Sequence, residues 1–248
     1  EFVNRSSLND ASVSSIVNSL ESFNDQPIVG DTTLPSSEEL RRRTIDHFAT
    51  QNRAVTQQDY EALVYAMPDK FGSIKRCRVI RDPDSLRRNL NLYVISEDSS
   101  GKLTPTNTTI KQNVKTWLSR NKMISDTIDI LDAKIVNIGI EFEVVVDEET
   151  NRFQVLSDCS QAIRDKFAVT PFIGEPIYLT DIYSALNKVN GVVDTKRVNV
   201  SKKTGTNYSS VKFDVDEALS ADGRYLSVPL NVAIELKFPD SDITGAIS

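Results

Sequence analysis

The sequence predicts an α/β chain of the α+β kind, with small mixed or antiparallel sheets, helices packed on one face, two similar modules and a β-rich C-terminal extension. Three observations carry this reading. Capped segments with apolar residues three and four apart alternate with short runs of period two. A length of 248 residues suits one large or two modest cores. Hydrophobic residues at 39% and charged residues at 26% are ordinary globular proportions, which argues against disorder and collagen-like repeats.

Taken in order, residues 1–36 are rich in Ser, Asn and Asp and read as a connecting arm. Within it, Val13, Ile16, Val17 and Leu20 have the spacing of a short amphipathic helix. Ser36-Ser37-Glu38-Glu39 supplies an N-cap and first-turn carboxylates for a helix from about Ser37 to Gln51. Leu40, Ile45 and Phe48 lie on or near one side of it, leaving Arg41, Arg42 and Arg43 as its solvated or partner-facing side. Thr56-Gln-Gln-Asp59 resembles a capping box with Asp in place of Glu, opening a helix that carries Tyr60, Leu63, Val64 and Met67 and is closed by Pro68.

After Gly72 the pattern becomes extended. Ile74 to Asp82 and Leu90 to Ser96 read as strands, Asn107 to Asn121 as a helix, and Ile128 to Leu131 as a short strand. The clearest strand runs from about Val136 to Val146, where Ile138, Ile140, Phe142, Val144 and Val146 alternate with Gly139, Glu141, Glu143 and Val145. Val155, Ile163 and Phe167 mark a helix. Thr180 is placed as the cap of another, carrying Ile182, Tyr183, Leu186 and Val189 and ended by Asn190-Gly191. Strands are expected at Val192 to Val200 and Val211 to Val215, then a turn at Asp222-Gly223 and the alternating run Val232, Ile234, Leu236, Phe238. The implied division is an arm with its helix (1–52), a first α/β module (53–133) and a second module with the β-rich part (134–248).

One internal pair stands out. Thr56-x3-Tyr60-x-Ala62-Leu63 with Gly72-x-Ile74-x3-Arg78-Val79 is echoed by Thr180-x2-Tyr183-x-Ala185-Leu186 with Gly191-x-Val193-x3-Arg197-Val198. Both read as helix, glycine stop, strand, either by duplication or as two cases of a common αβ unit.

Chemistry is hard to assemble from these residues, and no catalytic, cofactor-binding or metal-ligating residue is assigned. His47 is the only histidine, on a predicted helix with no clear orienting carboxylate, which leaves out histidine triads and multi-histidine metal sites. Glu141 and Glu143 share a strand face and could pair as acid and base in glycoside hydrolysis, but alternation with Ile140, Phe142 and Val144 makes them a solvated sheet face. Asp240-x-Asp242 lacks the glycine and final glutamate of a calcium loop, and Gly101-Lys102 lacks the rest of a phosphate loop. Cys77 and Cys159 cannot form a disulfide framework and read as buried thiols.

A net charge of −6 supplies no general field for nucleic acid or anionic membrane, and no run of eighteen apolar residues is present. No leader pattern precedes the arm, so cytosolic synthesis is expected. The chain begins Glu1-Phe2 without methionine, as a portion of a longer chain or a cloning scar would.

The strand around Cys77 has a charge pattern that asks for a cause. Arg76 and Arg78 share a face with Ile74 and Ile80. Either their long stems snorkel over a sheet edge, or the two arginines meet carboxylates of a neighbouring subunit, which makes Arg76 and Arg78 the candidate subunit-interface residues.

Several of these segments carry a family resemblance. Arg53-Ala-Val-Thr-Gln-Gln-Asp-Tyr-Glu-Ala-Leu63, the Gly72-x-Ile74 strand start, Ile173-Gly-Glu-Pro-Ile-Tyr-Leu-Thr180 and Asn190-Gly-Val-Val193 occur in an order that resembles the baseplate J-like family, and Ser37-Glu-Glu-Leu-Arg-Arg-Arg43 upstream fits as well. The resemblance covers about Ser36 to Val200, and the chain departs from it after about Lys202. It implies a structural component of a contractile phage tail, not an enzyme, that associates with copies of itself and with other wedge and hub proteins. It further implies assembly in the host cytoplasm and a place in the virion tail baseplate, with no cofactor, nucleic acid, membrane or small-molecule substrate. Two other classes compete. One is a tail-associated cell-wall hydrolase domain, which needs two carboxylates in a deep pocket. The other is a nucleic-acid-binding module using Lys75, Arg76, Arg78, Arg81, Arg87 and Arg88 as a basic stripe.

Overall fold

A computed structural model describes residues 14, 19, 30, 31, 33, 35–51, 53–82 and 89–248. The expected arm helix with Val13, Ile16, Val17 and Leu20 lies outside them, apart from Ser14 and Ser19, which are helical and exposed.

Helix α1 (Ser37–Thr50) begins where the Ser36 side chain accepts the Glu39 N–H, and it ends at Gln51 in the left-handed conformation. Helix α2 (Gln57–Tyr65) opens with the expected box. The Thr56 hydroxyl accepts the Asp59 N–H while the Asp59 carboxylate accepts the Thr56 N–H at 2.8 Å. Strand β1 (Arg76–Arg81) then pairs antiparallel with β2 (Asn89–Glu97), whose other edge takes the short β3 (Leu103–Thr104) and, in parallel, β4 (Thr127–Asp132). Between β3 and β4 runs α3 (Thr108–Ser119), capped by Asn107. Tyr60, Leu63, Val64, Ile110, Val114 and Leu118 from the helices meet Cys77, Val79, Leu90, Leu92 and Val94 from one face of this sheet. The Trp117 indole N–H fastens α3 to α2 through the Leu63 carbonyl at 2.8 Å.

The second sheet is built around β5 (Lys134–Val146). Its predicted alternation holds from Ile140 to Val146, with Ile140, Phe142, Val144 and Val146 buried and Glu141 exposed, whereas Gly139, expected on the open face, is buried beside Lys203 and Asp242. Along one edge lies β7 (Val192–Lys202), antiparallel; along the other lie β9 (Val232–Glu235) and β10 (Ile243–Ile247), both parallel. Helices α4 (Arg152–Phe167) and α5 (Leu179–Leu186) cover one face, placing Val155, Cys159, Ile163, Ile182 and Leu186 over the β5 stripe. A short β6 (Ile177–Tyr178) pairs with β8 (Tyr225–Leu226), and single helical turns α6 (Val215–Ala218) and α7 (Pro239–Asp242) complete the chain.

Three expectations are corrected here. Thr180 is not a cap: α5 starts at Leu179 after Tyr178, with no side-chain hydrogen bond to its first turn. Val211 to Val215 forms no strand, and its last residue opens α6. The alternating run from Val232 stops as a strand at Glu235, because Pro239 starts a helical turn that redirects the chain into β10.

The two sheets are joined without a linker. Only Ala133 separates β4 from β5, so one extended segment from Thr127 to Val146 serves both sheets. Around that crossing Ile95, Leu103, Ala133, Ile173 and Ala233 form a buried cluster drawn from both.

Candidate assembly surface

The loop after α4 reaches back to the first sheet and meets β1 there. Arg76, only 2% exposed, donates its Nε at 3.1 Å and an Nη at 2.8 Å to the Thr170 carbonyl, a bidentate grip on one backbone oxygen. Its other nitrogen donates to the Glu39 carboxylate on α1 at 2.6 Å. Glu39 also accepts from Arg43 one turn along the same helix at 2.6 Å. Burial alone would raise the Glu39 carboxyl, but the Arg76 and Arg43 charges outweigh it and hold the group below its ordinary range. Phe172 is stacked by Arg42 and Arg76, with guanidinium carbons 4.3 and 4.6 Å from its ring centre, and Arg43 covers Tyr65 at 4.2 Å.

Arg78, two residues further along β1, donates to the Ile173 carbonyl at 2.8 Å. The next residue, Gly174, has φ +72°, and a Cβ there would stand 2.8 Å from the Leu230 Cα, so only glycine fits this turn without a shift. Arg76 and Arg78, the two arginines singled out in the sequence, are thus brought together at the joint between the sheets, and the carboxylate that meets Arg76 is Glu39 of the same chain. Sequence reasoning missed Glu39, Phe172 and the two carbonyls. A signal was available in Glu39, Arg43, Asp46 and Thr50, a polar stripe at helical spacing as regular as the apolar one beside it.

That polar stripe is the inner side of α1, and the outer side is apolar. Leu40 is 50% exposed, Ile45 58% and Phe48 85%. Arg41 lies on the outer side between Phe48 and Ile45 and Arg42 at its edge over Phe172, while Arg43 turns inward, which reverses the expectation that all three arginines mark the open side. Between α1 and the loop lies a groove of about 530 Å³ bounded by Arg41, Ile45, Val169 and Phe172.

The edges of both sheets are closed in a similar way. On β1 the Cys77 N–H donates to the Tyr65 hydroxyl at 3.0 Å and the Val79 N–H to the Glu61 carboxylate at 2.9 Å. On β7 the Val198 N–H donates to the Tyr183 hydroxyl at 3.0 Å. A side chain of the preceding helix satisfies the strand in each case, and Gly72 and Gly191 both take positive φ, +95° and +90°.

Carboxylates elsewhere are already engaged. A cavity of about 550 Å³ between the sheets is lined by Glu97, Lys102, Glu235, Lys237 and Phe238. Glu97 faces Lys75 at 3.0 Å, and Glu235 accepts from the Leu103 N–H and the Asn137 amide at 2.7 Å each. Burial lifts the Glu235 carboxyl, whereas Lys75 and Thr33 overcome burial at Glu97 and hold it low. Glu143 pairs with Lys196 at 2.7 Å on the solvent side of β5. Among the described residues no group of three metal-ligating side chains converges and no helix is long and apolar enough to cross a membrane. Both cysteines are buried and free, and burial pushes the Cys159 thiol up to about 11. The basic stripe does not form as such: Lys75 and Arg76 are buried in ion pairs, and Arg87 and Arg88 lie outside the described residues.

No family model matches the chain, and no curated protein matches it. A solved structure that resembles it is described as "Cryo-EM structure of the anti-feeding prophage (AFP) baseplate, 6-fold symmetrised". The alignment covers 86% of this chain and 42% of that chain, at 12% sequence identity and a TM-score of 0.47. The chain thus spans less than half the length of that neighbour.

Proposed function

We propose that this chain is a non-enzymatic building block of a contractile-tail baseplate, a wedge component that associates with copies of itself and with other wedge and hub proteins in a ring. The finer placing is beside the C-terminal part of the baseplate wedge protein encoded by gene six of T-even-type phages, with assembly in the host cytoplasm before incorporation into the virion tail. On this reading residues 53–133 and 134–248 are its two modules and 1–52 its arm.

The observation that supports it is where the resemblance-bearing segments meet. The strand that follows the Arg53 to Leu63 motif carries Arg78, whose guanidinium takes the carbonyl of Ile173, the first residue of the Ile-Gly-Glu-Pro-Ile-Tyr motif 95 positions away. Motifs so spaced that clasp one another describe a joint. Together with the strand shared by both sheets, that joint makes a stiff block, which a ring under load needs more than it needs a cleft.

Static light scattering of the purified chain over a concentration series tests the reading. A mass that rises from one chain towards a defined multiple is the expected result, and a strictly monomeric chain at every concentration overturns it.

A further inference from the structure

The outer side of α1 is an amphipathic face turned the wrong way for a monomer. A surface helix ordinarily buries its apolar stripe and exposes its charges. Here Glu39 and Arg43 are held against the body while Leu40, Ile45 and Phe48 look outward, and Val169 at 55% exposure extends the apolar surface across the groove. Three large exposed apolar residues on one side of a helix, with Thr44 and Arg41 set among them, have the composition of a contact site. Nothing among the described residues of the same chain covers it.

We propose that this face is covered by the N-terminal segment of a second copy of the chain, through the stripe Val13, Ile16, Val17 and Leu20. This deepens the self-association set out above and rests on it. Three observations select that occupant. The stripe has the i, i+3, i+4, i+7 spacing that lays one helix face against another, and Ser14 and Ser19, which fall off the stripe, are helical and exposed. Residues 10–25 carry Asp10, Glu21 and Asp25 and no lysine or arginine, a charge that suits Arg41 and Arg42 on the face and places the segment on their side of the groove, away from Glu38. Gly30 is tied to the body, its carbonyl accepting the Glu97 N–H at 2.8 Å, and the ten residues that separate it from Leu20 have a reach of up to about 33 Å, long enough for the stripe to meet a neighbouring copy. An arm on one molecule and a helix face on another are two different patches. Such a contact closes a ring, or a reciprocal pair when both copies exchange arms.

Full-length Val17→Cys chain is mixed in equal amounts with full-length Thr44→Cys chain and oxidised, then resolved without reductant. Thr44 sits on the face between Leu40 and Phe48, and Cys77 and Cys159 are buried and silent. A two-chain product is expected in roughly tenfold or greater excess over that formed with a Phe153→Cys partner, because docked thiols meet at millimolar effective concentration. Phe153 is equally open but lies at the far end of α4. Adding Phe48→Glu to the Thr44→Cys chain removes the excess. Equal products with the two partners, no product, or an internally linked single chain from the Val17→Cys/Thr44→Cys double variant each overturn the placement. An oligomer by light scattering that yields no such product sinks this contact and leaves self-association standing, whereas a monomer at all concentrations sinks self-association itself.

Discussion

The two sides of α1 obey opposite rules. On the inner side a carboxylate and the Arg76 guanidinium are buried together with the half-buried Arg43 beside them, each charge answered within hydrogen-bond distance. On the outer side three large apolar residues stand in solvent with Phe48 most open of all. Burying charge is costly unless it is paired and directional, so the inner side holds only as a complete set. Exposed apolar surface costs the monomer little and gains value only when something covers it. The comparison separates what holds the block together from what the block can hold on to.

The inner side should break hardest. Arg76→Ala leaves Glu39 buried without its main partner and the Thr170 carbonyl without its donors, so a loss of about 3 to 5 kcal/mol in a denaturant titration is expected. A loss near zero would mean that the joint is open in solution. Acid sharpens the same point. Because the folded Glu39 carboxyl is held below its ordinary value, its contribution is present above the unfolded carboxylate range and is lost as pH falls through that range towards the depressed folded value. Glu39→Gln should therefore be less stable than the parent at neutral pH, with the gap closing on acidification.

Next in size is Gly174→Ala. A side chain at φ +72° against the Leu230 backbone should cost about 1 to 3 kcal/mol and lower the melting temperature measured by calorimetry. Unchanged melting would show that the loop can move without disturbing the Arg78 to Ile173 bond. Smaller again is Tyr183→Phe, which removes the acceptor for the Val198 N–H and should cost about 1 kcal/mol. Hydrogen exchange should quicken at Val198 and leave Cys77 unchanged, since Tyr65 closes the other edge separately.

Most strands and helices were legible because their signals are local. The Thr56 capping box, the period-two run of β5 and the helix–glycine–strand units depend on neighbours in sequence. The α1 orientation was not legible for a physical reason: spacing places Leu40, Ile45 and Phe48 on one side of a helix, but which side meets the body depends on Arg76, Thr170 and Phe172, distant residues that offer the polar side better partners. Arg76 and Arg78 stand out in the sequence because two arginines share a strand face with isoleucine. Their partners escaped notice because a backbone carbonyl, as at Thr170 and Ile173, leaves no mark in composition. At Val211 to Val215 the alternation of a strand is present in the sequence, but no strand among the described residues offers it a ladder.

The smallest effect on the folded chain belongs to the outer side, and its smallness is what makes it informative. Phe48 is 85% exposed, so Phe48→Ser removes almost no buried surface from the monomer and should change its stability by less than about 0.5 kcal/mol. If α1 merely displays a stray aromatic, light scattering of the variant will match the parent at every concentration. If the face is a contact, the variant melts like the parent when dilute yet loses the concentrated species, because an aromatic anchor carries a disproportionate share of a contact's energy. Stability and association then part company on one helix. A substitution at Arg76 cannot separate them, since it damages the block before any partner is asked to bind.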